Sequence, residues 1–166
     1  MTLKSDLESF RFAFMAQVPP ESRDLTAHSN PDLLKSPRAQ FHMHRILLVD
    51  DEILGTTTRA EILREFGYSV DFYHSPLAAL RCDLSTFELA VVDFHMPELN
   101  GRELLLRMRA LGATFPIILL TGDAEELSKE DRVLFARCID KGTSIPSLFD
   151  AVAEVLDLNL RHTENV

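Results

Sequence analysis

Three stretches of this chain hold nearly continuous apolar runs too short to be helices in their own right: RILLVDDE at 45–52, FELAVVDF at 87–94 and FPIILLTG at 115–122. A strand with one solvated face alternates polar and apolar residues. A continuous apolar run bounded by turn residues marks a strand buried on both faces, which is the condition of a parallel sheet covered by helices. The intervening segments fit. ILGTTTRAEILREF (53–66) runs at helical period and meets Gly67, a residue suited to ending it. YSVDFY is a second strand, followed by Ser75 as an N-cap and Pro76 at a first helical position. GRELLLRMRALG is a helix closed by Gly112, DAEELSKEDRVLFA an acidic helix, and RCID a weak fifth strand. SIPSLFDAVAEVLDLNL is a last helix with Ser144 as its expected N-cap. Five strands alternating with five helices require parallel strands joined by right-handed crossovers.

This pattern occupies residues 44–160 and leaves a short tail at 161–166. Residues 1–43 read differently, as an N-terminal extension. Leu3, Leu7, Phe10 and Phe14 are spaced as on a short helix, marginal by itself. Residues 17–40, with Pro19, Pro20, Pro31 and Pro37, read as linker. Met43 directly precedes the first strand, so the working protein is open to beginning there, without residues 1–42. The chain is expected to carry no output domain of its own, because it ends about one helix after the fifth strand. With 46% hydrophobic and 26% charged residues the composition is that of a globular domain with a real core. No apolar run reaches the roughly 20 residues of a membrane span, and the opening MTLKSDLESF, its apolar residues broken by charges, does not read as a secretory leader. Cys82 and Cys138 stand far apart and suggest neither a disulfide framework nor a zinc site. A reducing cytoplasm is the expected compartment. The net charge is −9, and all of it falls after residue 44, since residues 1–44 carry five acidic and five basic side chains. Such a domain repels nucleic-acid phosphates.

The polar residues are concentrated at strand ends. Asp50 and Asp51 follow the first strand, Asp93 ends the third, Thr121 the fourth, and Lys141 follows the fifth. In a parallel sheet these ends share one edge, where ligands of open α/β sheets bind. In the doubly wound, flavodoxin-like strand order 2-1-3-4-5 the crevice lies between strands one and three, and the three aspartates meet. Three carboxylates together need a counter-charge. A hard divalent cation such as Mg²⁺ supplies one. Lys141 adds another, and Thr121 offers a hydroxyl. A carboxylate can also attack phosphorus to form an acyl phosphate.

Taken in order, ILLVDDE, VVDFHMPELNG, LLTGD and the lysine of DKG resemble the response-regulator receiver family of two-component signalling over residues 44–160. The resemblance implies that Asp93 accepts a phosphoryl group from a histidine kinase or phosphotransfer protein. It implies that Asp51, Asp93 and the backbone carbonyl of His95 ligate Mg²⁺, that Asp50 orients metal-bound water, and that Thr121 and Lys141 engage the phosphoryl group. It implies a signalling domain with a downstream target protein, not an enzyme with turnover of its own.

The chain departs from the family pattern twice. Gly142 replaces the proline that usually follows the lysine. A cis bond without proline costs about 2.5–4 kcal/mol, so the loop is open to being trans or differently shaped. Cys138 replaces the usual Tyr or Phe three residues before the lysine and cannot fill that space. It reads as a buried strand residue in preference to a redox sensor. Phosphorylation is then expected to act through the helix after Thr121, or through charge alone. Phe135 is open to packing in the core or lying on the surface usual for partners. The competing reading is an adaptor that works without phosphorylation. A flavin-binding protein of similar topology is disfavoured, because DDE after the first strand would repel a phosphate.

Overall fold

The computed structural model describes residues 43–122, 127–142 and 145–163. The expected helix at 3–14, the linker at 17–40, the Ser144 cap and the end of the tail lie outside the described residues. Five strands form one sheet: β1 (Arg45–Val49), β2 (Ser69–Tyr73), β3 (Leu89–Asp93), β4 (Ile117–Thr121) and β5 (Arg137–Asp140). They lie in the order β2-β1-β3-β4-β5, and every pair is parallel. The order agrees with the sequence expectation.

The helices are α1 (Ile53–Glu65), α2 (Pro76–Ala79), α3 (Gly101–Ala110), α4 (Lys129–Arg132) and α5 (Ile145–Thr163), with a single 3-10 turn at Leu84–Thr86. Both Gly67 and Gly112 have φ of +91°. Each ends its helix with the same pair of bonds. Gly67 N–H donates to Arg64 and Tyr68 N–H to Leu63, while Gly112 N–H donates to Arg109 and Ala113 N–H to Met108. Residues other than glycine rarely adopt that left-handed conformation. Ser75 caps α2, its hydroxyl accepting from Ala78 N–H, and Pro76 is the first helical residue. At α3, Asn100 accepts from Glu103 N–H at 2.9 Å and Glu103 accepts from Asn100 N–H at 3.0 Å, a reciprocal capping box.

One element differs from its expectation. The acidic helix was expected across residues 123–136, but Leu127 and Ser128 are not helical, and α4 is a single turn. The reason is local. The Ser128 hydroxyl accepts from Asp131 N–H at 3.0 Å, so it starts a helix there instead of continuing one. Past Arg132 the chain turns to bury Phe135, which thereby joins the core and not the surface.

The central strands are sealed on both faces. Ile46, Leu47, Leu48, Val49, Leu89, Ala90, Val91 and Val92 have no solvent exposure, as the apolar runs require. β5 is an edge strand with both ends exposed. In register, Val49 pairs with Val92, Asp93 with Leu120, and Thr121 with Asp140. Asp50 therefore comes level with Asp93, and Lys141 emerges beside the end of β4.

Candidate functional site

Asp50, Asp93 and Thr121 are the charged or polar side chains buried at this edge of the sheet, while Asp51 is exposed at its rim. One carboxylate oxygen from each of Asp50, Asp51 and Asp93 lies within 4.8 Å of the others. Their convergence follows from the strand order, since β1 and β3 are neighbours although 43 residues separate Asp50 from Asp93 in sequence. The Lys141 ammonium reaches both buried carboxylates, at 3.0 Å from Asp93 Oδ2 and 3.2 Å from Asp50 Oδ2. Its backbone N–H donates to the Thr121 carbonyl at 2.7 Å, which ties the lysine to the end of β4. The described residues contain no cis peptide bond, so the lysine reaches the carboxylates with a trans bond to Gly142. Gly142 N–H is held at 2.6 Å by the side chain of Asp140.

The electrostatics match this crowding. Burial pushes the Asp93 carboxyl above its ordinary range, Lys141 pulls it back, and the charge of Asp50 adds to the rise. For Lys141, burial acts downward, but its bond to Asp93 and the charges of both aspartates prevail and raise it. The ammonium form is the stable one beside two carboxylates. Asp93 also accepts from the backbone N–H of His95, whose side chain is exposed on the loop. Next on that loop, Met96 is buried and Glu98 adopts a φ of +71°. Leu99 N–H closes back on Pro97 at 2.9 Å, and the Glu98 carboxylate accepts from Ser75 at 3.0 Å. This tight turn brings the loop back to α3. A β-carbon on Gly101 would stand 2.6 Å from the Asp93 carbonyl and 3.0 Å from Leu119. The helix can start directly against the backbone of Asp93 only because residue 101 is glycine.

Four further neighbours surround the site, of which Glu52 alone is noted in the sequence, beside the acidic pair and without a role. Arg59 Nη1 lies 2.9 Å from Asp50 Oδ2. Glu52 N–H donates to Asp50 Oδ1 at 3.0 Å. The Thr56 hydroxyl lies 2.7 Å from the Glu52 carbonyl and 3.1 Å from that of Asp50, and His74 donates its Nδ1–H to the Asp50 carbonyl at 3.1 Å. The available signal was periodicity: Thr56, Ala60 and Leu63 form the buried stripe of α1, and Arg59 flanks it. A polar pair on the inward side of a helix marks something polar to meet.

At the position of the missing aromatic, Cys138 is half-buried against the core and pairs in register with Leu119. Burial raises its thiol above the ordinary value, which disfavours the reactive thiolate. The donor set at the edge, three carboxylates with no sulfur or imidazole ligand, fits a hard cation of the Mg²⁺ kind.

A five-stranded parallel sheet in this order, carrying an acidic triad and a lysine at its carboxyl edge, has the architecture of a receiver-type domain. Residues 46–153 match the family described as the response regulator receiver domain, and the chain belongs to it. It is 35% identical over 92 residues to the transcriptional regulatory protein CpxR homolog of Haemophilus influenzae, covering 55% of this chain and 39% of that protein. It is 28% identical over 134 residues to the sensor histidine kinase RcsC of Salmonella typhi, covering 80% of this chain and 13% of that protein. The chain thus spans less than half the length of these relatives. Among solved structures it resembles the response regulator protein TrrA of Thermotoga maritima, determined in complex with Mg²⁺-BeF. That match has a TM-score of 0.62 and 29% identity over 68% of this chain and 99% of the other. Among the described residues, no helix is long and apolar enough to cross a membrane.

Proposed function

We propose that Asp93 is the phosphoacceptor of this receiver and takes its phosphoryl group from the phosphohistidine of a histidine kinase or phosphotransfer protein. The observation that carries this reading is the buried Asp93 carboxylate held 3.0 Å from Lys141 beside two further aspartates. In the transfer, a carboxylate oxygen of Asp93 forms a bond to phosphorus while the phosphorus–nitrogen bond breaks, and the electron pair leaves with the imidazole. Bound Mg²⁺ supplies positive charge against the repulsion between two anions. Asp51, Asp93 and the His95 carbonyl would hold that ion, with Asp50 behind them. Lys141 moves from pairing with Asp93 to pairing with the phosphoryl oxygens, and Thr121, buried at the end of β4, presents its hydroxyl to the same group.

The signal then leaves by protein–protein contact with a downstream target, in the cytoplasm, and without catalytic turnover on another substrate. A half-buried Cys138 in place of an aromatic supports a response carried through the segment after Thr121 or through charge. The test is incubation with Mg²⁺ and a small acyl-phosphate donor, followed by intact mass. One phosphoryl group is expected on the native chain and none on Asp93→Asn. Equal addition to both proteins, or to neither, defeats the assignment.

A further inference from the structure

Both oxygens of the Asp50 carboxylate already have full sets of partners. Oδ2 faces Arg59 Nη1 at 2.9 Å and Lys141 Nζ at 3.2 Å. Oδ1 accepts from Glu52 N–H at 3.0 Å and lies 3.3 Å from Lys141 Nζ. Lys141 is shared with Asp93, whereas the Arg59 guanidinium meets Asp50. The Arg59 side chain is 16% exposed, and the Asp50 side chain it meets is fully buried, so solvent screens this pair poorly.

A second observation concerns the path by which the guanidinium arrives. A β-carbon on Gly55 would meet Glu52 Oε2 at 2.9 Å and Arg59 Nη1 at 3.1 Å. Gly55 lies within α1, where glycine is costly relative to alanine. What the glycine provides is the space through which Arg59 folds back along the helix to the sheet edge.

We infer that Arg59 is a positioning residue, a built-in counterion that engages the Asp50 carboxylate and weakens metal binding at the acidic triad. It also leaves Asp50 with a cation of its own when Lys141 departs for the phosphoryl group. Three carboxylates opposed by two resident cations attract Mg²⁺ less than the same three opposed by one. The inference rests on the reading of the triad as a divalent-cation site, and its sign is opposite to that of a scaffold role. Loss of a residue that merely supported the site would loosen metal binding, while loss of a competing cation tightens it.

Calorimetric titration of the full chain with MgCl₂, without phosphodonor, tests this. Arg59→Gln should bind Mg²⁺ about tenfold more tightly than the native chain, a difference of ~1.4 kcal/mol. Gly55→Ala, which keeps every charge but crowds the tips of Glu52 and Arg59, should shift affinity in the same direction by less. Arg107→Gln, which removes one positive charge from the exposed side of α3, should leave affinity within about twofold, since screened surface charges count for little. Unchanged or weaker binding by folded Arg59→Gln overturns the inference while leaving the metal site standing. Equal tightening by Arg107→Gln also overturns it, because the effect would then be one of net charge. If Arg59→Gln does not fold, Gly55→Ala decides alone, with tighter binding in support and unchanged binding against. Failure of both the native chain and Arg59→Gln to take up Mg²⁺ removes the metal-site reading itself.

Discussion

The two sides of the sheet's carboxyl edge are built to different tolerances. On the β1–β3 side every strand residue from Ile46 to Val49 and from Leu89 to Val92 is sealed from solvent. Asp50 there is fixed by two cations and a backbone N–H, and α3 begins against the carbonyl of Asp93. On the β4–β5 side the last strand has exposed ends, α4 is one turn without a buried residue, and the aromatic position holds a half-buried cysteine. Close packing confines a group to one arrangement, and an exposed edge permits several at similar energy. On the proposed reading the acceptor carboxylate belongs to the first side, and Thr121 and Lys141 reach the site from the second.

Substitutions on the two sides should differ accordingly. The largest effect is expected from Gly101→Ala. Its new methyl group meets backbone on one side and Leu119 on another, so the loss should be on the order of 2 kcal/mol, measured by urea unfolding. A loss below about 0.5 kcal/mol would show that the first side yields more easily than its geometry states. Next comes Asp93→Asn in the absence of divalent cation. A carboxyl whose pKa is raised by folding favours the folded state at low pH, and that contribution is lost as pH rises through the folded value. The native chain should therefore lose stability as pH rises from its unfolded carboxyl value toward neutrality through this group, and Asp93→Asn should not. Its melting temperature at neutral pH should exceed that of the native chain, by roughly 2–4 °C for each kcal/mol relieved. An unchanged or lower value would mean that the bond to Lys141 outweighs the cost of burial. The smallest effect belongs to the open side. Arg137 and Glu154 pair at 2.7 Å with both side chains about half exposed, and Glu154→Gln should cost no more than ~0.5 kcal/mol. A loss above about 1 kcal/mol would bring the two sides closer together than their burial implies.

The same contrast separates what could be read in the sequence from what could not. The apolar runs of the first, third and fourth strands announce their burial in composition alone, while right-handed crossovers only narrow the strand orders to a few, of which the flavodoxin-like one is present. Asp50, Asp51, Asp93 and Lys141 were legible as a group because each immediately follows or ends a recognisable strand. Arg59 was not, because its role depends on a path opened by a missing side chain at Gly55. The length of α4 was misjudged since Ser128 reads equally as an interior polar residue and as a cap. The turn at Glu98 gave no sign in advance, as glutamate carries no preference for positive φ.

The two cations that serve Asp50 stand at very different distances along the chain, nine residues away for Arg59 and 91 for Lys141. A ribosome adding about 5–20 residues per second therefore delivers the arginine almost with the aspartate and the lysine several seconds later. During that interval β1 and α1 can form with their buried carboxylate already answered by a local partner. Lys141 joins only when β5 closes the sheet, so the site is completed by nearly the last strand-end to be synthesised.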